Sequence, residues 1–229
     1  MMTSIEQFLF DASVWVVPVI MAITFHEAAH GFAAWKLGDD TAKRLGRVTF
    51  NPLRHVDPIG TVILPAVMYF TTSFMFGWAK PVPVNFNRLR NPRYGMVLVA
   101  LAGPVINIVL AFFAAWTLRW IDFLPETALL WVQQSLVIAV QINVILAVFN
   151  MIPLPPLDGG RVAVGLLPRQ LAMPLARLEN YGLFILMGVL FILPLIGQQI
   201  GMNLSVLPWL LGPPVEYVIR LLGFATGHG

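Results

Sequence analysis

His26 and His30 stand four residues apart, with Glu27 beside the first, in the run Phe25-His26-Glu27-Ala28-Ala29-His30. On a helix, positions at this spacing share a face one turn apart, so two imidazoles can hold one metal ion. A neighbouring carboxylate is placed to take a proton from a water held by that ion, which is hydrolytic chemistry. The setting sharpens the pattern. Residues 12–35 carry no other ionisable side chain, and at about 20 residues per bilayer crossing the run can span. A charge at mid-membrane costs roughly 3 kcal/mol, so this cluster of titratable groups needs a reason. The bland alternative is that the histidines bond to neighbouring helices while Glu27 pairs with a basic residue.

Two histidines fall short of a catalytic zinc site, which ordinarily has three protein ligands and a water. The chain contains no cysteine, so the third ligand must be histidine or carboxylate. The candidates are His55, Asp57, Asp158 and His228. Asp158 is the strongest, because it sits where an apolar segment meets a helix start and Gly159 and Gly160 allow close backbone approach. The other role for a carboxylate there is as N-cap of the following helix. His55 reads as a loop or interface histidine and His228 as a tail residue.

The elements that must position these groups are membrane spans. Of 229 residues 58% are hydrophobic and 11% charged, and the mean hydropathy is +0.79, which describes an integral membrane protein. Twelve of the fourteen basic residues fall in three groups, Lys36 to Arg54, Lys80 to Arg93 and Arg161 to Arg177. They flank apolar segments as positive-inside loops do, so the net charge of +3 is no argument for nucleic-acid binding. Residues 1–12 carry Glu6 and Asp11 but no Lys or Arg, the reverse of a secretory n-region. A retained first span with its N-terminus outside is expected.

That first helix is predicted over about residues 8–37, with Gly38 as its breaker. Arg47-Val48-Thr49-Phe50, between Gly46 and Asn51-Pro52, reads as short extended pieces in a hairpin. Residues 60–79 are expected to re-enter and return to the basic side, leading into an extended Lys80-Pro81-Val82-Pro83-Val84-Asn85. Spans follow over 94–118, with Asn107 as a buried polar group needing a partner, and over 128–150, whose amides suggest a face turned to the bundle interior. Pro153, Pro155 and Pro156 exclude a helix interior, and a helix resumes near Asp158. Residues 181–215 carry no charge and supply about one more span plus a further hydrophobic piece. The predicted fold is an α-helical polytopic membrane protein with about four transmembrane helices, re-entrant elements and a short membrane-associated β-hairpin. With 60–79 re-entrant, the spans run inward, outward, inward, and the histidines share the basic side with Asp158. A full crossing by 60–79 would separate them.

The His26-Glu27-Ala28-Ala29-His30 helix, the Ala102-Gly103-Pro104-x-x-Asn107 helix and the downstream Asn150-x-x-Pro153-x-Pro155 to Asp158-Gly159-Gly160 pattern resemble the site-2 protease family of intramembrane zinc metalloproteases. The resemblance covers roughly residues 10–165; Pro155-Pro156 before Leu157 departs from the single proline of many members. It implies one zinc ion held by His26, His30 and Asp158, with Glu27 as general base and Asn150 and Asn107 at the substrate. It implies a single membrane-embedded metalloprotease domain over 1–229, with a core at about 10–165 and C-terminal hydrophobic helices at about 181–222. The expected partners are transmembrane protein substrates and the lipid bilayer. The expected location is a prokaryotic inner membrane, with the site towards the cytoplasm. Two rival readings remain: a metal transporter using the same His/His/Asp cluster, and a pseudoenzyme that binds single-span proteins without cutting them.

Overall fold

A segment surrounded by lipid must satisfy its backbone internally, and a single apolar segment does this as a helix. In the computed structural model, which describes residues 4–63 and 79–227, the described residues form helices and turns without a strand. Among the described residues four helices are long and apolar enough to cross a membrane: Ile5–Lys36, Pro92–Trp120, Ala128–Asn150 and Glu179–Gln199. The elements in order are α1 (Ser4–Lys36), α2 (Thr41–Arg44), α3 (Pro92–Thr117), α4 (Glu126–Asn150), α5 (Asp158–Leu166) and α6 (Arg169–Arg177). Then come α7 (Glu179–Met187), a π-helical turn over Gly188–Ile192, α8 (Leu193–Gln199) and α9 (Val206–Thr226).

Helices α1, α3 and α4 pack into the bundle that carries the site. Gly38, at φ 117°, ends α1 and turns the chain back, and Arg90 N–H donates to Leu37 O at 3.0 Å just before α3 begins. Asn91 caps α3 by accepting from Tyr94 N–H, with Pro92 in the first turn, where its missing donor costs nothing. The end of α1 therefore meets the start of α3, and the two run antiparallel. Trp131 Nε1–H donates to Ser13 Oγ at 2.9 Å, which sets α4 parallel to α1. Small side chains let the helices approach closely: Ala22, Ala34 and Ala111 are fully buried. Trp15, Ile20, Phe113, Trp116, Phe184 and Trp209 stay exposed, an apolar surface suited to lipid.

The predicted hairpin does not form. The stretch 43–57 holds the end of α2, turns, and a 3₁₀ turn over Pro52–Arg54 capped by Asn51, whose side chain accepts from Leu53 N–H at 3.0 Å. Val48 and Thr49 favour extended backbone, but a ladder needs a second strand and Pro52 starts a helical turn instead. Most of the expected re-entrant stretch, residues 64–78, lies outside the described residues. Residues 80–85 carry no helix, and Asn85 at their end is extended; the helix break between α4 and α5 and the helix start at Asp158 agree with the sequence reading. The C-terminal apolar region resolves into the Glu179–Gln199 span and α9, which stays helical across Pro213 and Pro214.

Candidate metal centre

Helix α1 buries one residue in four along its inner edge: Val14, Pro18, Ala22, His26, His30 and Ala34. The two histidines thus lie in the row that packs against α3, and small neighbours along it let α3 come close. At the point of contact α3 presents Gly103. A Cβ there would stand 2.5 Å from His26 Cε1 and from His30 Nε2, so any side chain would overlap the rings.

The outer nitrogens of both rings are held by α3. His26 Nδ1 donates to Asn107 Oδ1 at 2.6 Å, and His30 Nδ1 donates to Val99 O at 2.7 Å. The direction of the first bond follows from the amide's other end. Asn107 Nδ2 donates to Ala22 O at 3.2 Å and to Asn143 Oδ1 at 2.8 Å, so Asn107 turns its oxygen to the imidazole. Asn143 is held in turn by donating to Ala139 O at 2.8 Å. With both Nδ1 atoms protonated, both Nε2 atoms carry lone pairs. Fixing the tautomer of a ligating histidine in this way is the usual work of a metal site's outer partners.

Asp158 is carried in by the start of α5. Gly159 and Gly160 sit directly on the preceding loop: a Cβ would meet Met151 O at 2.2 Å and Pro155 N at 2.2 Å, respectively. Leu157, not Asp158, occupies the N-cap position, and Asp158 Oδ2 is buried with no hydrogen-bond partner. That oxygen lies 3.2 Å from His26 Nε2 and 3.3 Å from His30 Nε2, and the two nitrogens are 3.0 Å apart. Three buried acceptors facing one another repel unless a cation lies among them. Ligands at about 2.0–2.2 Å from one tetrahedral ion are about 3.3–3.6 Å apart, close to the spacing here, and a two-nitrogen, one-carboxylate set suits zinc. The residues fit the ion.

Glu27 is half-buried beside them, and its Oε2 accepts from Val82 N–H at 2.8 Å. A cavity of about 500 Å³ opens onto the group, lined by Glu27, His26, His30, Asp158, Asn150 and apolar side chains such as Leu186. Asn150 Nδ2 donates to Leu146 O at 2.9 Å from the cavity wall. Asn107, expected at the substrate, is fully buried with its whole amide committed to His26, Ala22 and Asn143. Its oxygen faces His26 and its nitrogen faces Ala22 and Asn143. His55 is buried, with Nε2 against Thr49 O at 3.0 Å, and Asp57 accepts from Ile59 and Gly60 N–H; neither joins the cluster. His228 lies outside the described residues. Among the described residues His26, His30 and Asp158 are the group able to hold a metal, with ligand atoms all within 4.8 Å.

The chain is 41% identical over 184 residues to a Bacillus subtilis protein named "Putative zinc metalloprotease YwhC", covering 79% of this chain and 80% of that one. It is a member of peptidase family M50. The model of "Peptidase family M50" matches residues 122–193, which include Asn150 and Asp158. Two mycobacterial proteins named "Putative zinc metalloprotease Rip2" are each 29% identical to it. The Mycolicibacterium smegmatis one is matched over 78% of this chain and 66% of its own length, the Mycobacterium tuberculosis one over 83% and 70%. No solved structure gives a match. The M50 chain is a metalloprotease of site-2 type and an integral membrane protein, and the relatives lend no support to the transport reading.

Proposed function

We propose that this chain is a single membrane-embedded domain that hydrolyses peptide bonds within or near the transmembrane segments of other membrane proteins, using one zinc ion held by His26, His30 and Asp158. The observation that carries the reading is the convergence of three buried acceptors, two imidazole Nε2 atoms and Asp158 Oδ2, beside Glu27 in a cavity between apolar helices. Zinc, when bound, polarises a carbonyl and lowers the pKa of water towards about 7. Glu27 would take the proton of the attacking water and deliver it to the leaving amine. Val82 N–H holds one oxygen of Glu27, leaving the other to receive the proton. Asn107 and Val99 O keep both imidazoles with Nδ1–H outward, so that neither ring donates into the site.

A substrate helix hides its peptide bonds, so it must unwind locally to reach the cavity. Asn150, on the cavity wall, is placed to bond the extended backbone, and it is the one site residue we assign to the substrate. The Pro81-Val82-Pro83 stretch is poor in free donors, since two of its residues have no N–H and Val82 spends its own on Glu27. Pairing with substrate along it would use carbonyls. The basic residues at the Lys36 end of α1 and the Arg93 end of α3 favour the cytoplasmic side for the site.

The test is zinc content and cleavage of a single-span substrate by purified wild type, Glu27→Gln and Asp158→Ala. Wild type should hold one zinc and cut. Glu27→Gln should keep zinc and lose about 10²–10⁴-fold in rate. Asp158→Ala should lose the metal. Cleavage by Glu27→Gln at close to the wild-type rate, or full zinc and activity in Asp158→Ala, would overturn the assignment.

A further inference from the structure

Arg47 is 7% exposed, whereas its basic neighbours Lys43, Arg44 and Arg54 all face outward. Among the described residues no carboxylate pairs with it, and residues 64–78 contain no acid. A buried cation without a counter-ion is costly, so its surroundings should say what it is for. Its Nη2 donates to Lys80 O at 2.6 Å and more weakly to Pro81 O at 3.4 Å, and its Nε has no partner. The guanidinium is spent on the backbone of the proline-flanked stretch that lines the cavity.

That stretch touches Glu27 from its other side. Pro81 C=O and Val82 N–H belong to one planar peptide unit and point in opposite directions. The carbonyl faces Arg47 and the N–H donates to Glu27 Oε2 at 2.8 Å. The buried cation and the carboxylate therefore grip the same peptide unit from opposite sides. A positive charge at the carbonyl also strengthens the N–H as a donor, as bonds in a chain polarise one another. The ends of the stretch are tied down: Lys80 N–H donates to His55 O at 2.9 Å, and Asn85 N–H donates to Asp39 Oδ2 at 2.6 Å. Pro81 and Pro83 hold the backbone extended and bring no donor to compete for Glu27. Behind it, Gly31 on α1 leaves just enough room: a Cβ there would press on Val82 Cγ1 and Val48 Cγ2, each at 3.1 Å.

We infer that Arg47 is a positioning residue for proteolysis, fixing the Lys80-Pro81-Val82 backbone so that Val82 N–H holds Glu27 in place for proton transfer. The inference rests on the reading of Glu27 as the proton acceptor, which the Glu27→Gln variant tests separately. An interfacial arginine that merely faces lipid headgroups would be exposed like its neighbours. A purely structural one would act on folding or zinc and not on turnover alone.

The experiment measures zinc stoichiometry, kcat and KM for a single-span substrate with full-length wild type, Arg47→Met, Arg47→Lys, Val82→Pro and the Arg47→Met/Val82→Pro double variant. Val82→Pro removes the N–H while leaving the neighbouring prolines and all charges unchanged. Arg47→Met should keep its zinc and lose about 10–100-fold in kcat, the range typical of partners behind a metal site, with KM within about twofold. Arg47→Lys should recover part of the loss. Val82→Pro should lose a similar factor, and the double variant should fall no further than the worse single variant, because both changes remove the same grip. Unchanged kcat in Arg47→Met, loss of zinc in step with activity, or losses that multiply in the double variant would each overturn the inference. If Arg47→Met does not fold, an unchanged kcat in Val82→Pro overturns it equally. Should Glu27→Gln cleave at close to the wild-type rate, the reading of the site fails first, whatever the Arg47 variants do.

Discussion

Gly103→Ala adds one methyl where α3 meets the two histidines. The new Cβ would lie 2.5 Å from His26 Cε1, 2.5 Å from His30 Nε2 and 2.6 Å from His26 Nε2. Ordinary carbon contacts begin near 3.5 Å, so the rings or the helix must move by about 1 Å. Metal ligands tolerate about 0.2 Å. The rings cannot slide freely, because their Nδ1 atoms are bonded to Asn107 and Val99 on the same helix that carries the methyl. Overpacking of this kind costs about 1–3 kcal/mol. If that cost falls on the metal-bound geometry, zinc affinity drops by about 5- to 150-fold. The assay is chelator competition on the purified protein, with Gly223→Ala as control, since nothing lies within 4 Å of a Cβ at that α9 position. Gly103→Ala with wild-type zinc affinity and activity would mean that α3 does not seat against the imidazoles as described.

Two further outcomes follow from the groups behind the site. Asn107→Leu leaves His26 Nδ1 without its acceptor and should weaken zinc by about 10–100-fold, while Asn107→Asp, which keeps an acceptor, should restore most of the affinity; equal zinc binding by all three proteins would show that the amide does not orient the ring. Asp39 is buried and accepts from Thr41 Oγ1, Asn85 N–H and Thr41 N–H, with Arg88 nearby. Burial pushes its carboxyl up, but those bonds outweigh it and hold the carboxyl below its ordinary value of 3.8. A depressed folded value stabilises above the unfolded one and is lost as pH falls through the folded one. The thermal-stability advantage of wild type over Asp39→Asn in detergent should therefore persist at neutral pH and shrink below about pH 4. Parallel melting-temperature profiles for the two proteins would contradict this.

Much of the centre was legible in the residues. His26 and His30 at helical spacing need only a helix to share a face, and the apolar run around them dictates that helix. Asp158 emerged from a short list because the chain has no cysteine and few histidines, and because Gly159-Gly160 announced a close approach. The spans were legible for the same reason that membranes allow few structures: a long apolar segment has hardly any alternative to a helix. The hairpin expected at 43–57 does not form, because β-branched residues state a preference that only a partner strand can realise.

The tertiary structure decided whatever depended on which atom faces which. Asn107 announced that it needed a partner; that its oxygen faces His26 follows from the register of α3 against α1 and α4. Gly103 stood in the sequence only as part of a motif; the packing of α3 sets it against His26 and His30 Nε2. Arg47 read as one more loop cation until its guanidinium was found turned inward onto the backbone that holds Glu27. Composition and periodicity fix which residues can be buried together, because hydrophobic burial has no direction. Hydrogen bonds and metal ligation do have direction, and their partners are chosen only when the helices are brought into register.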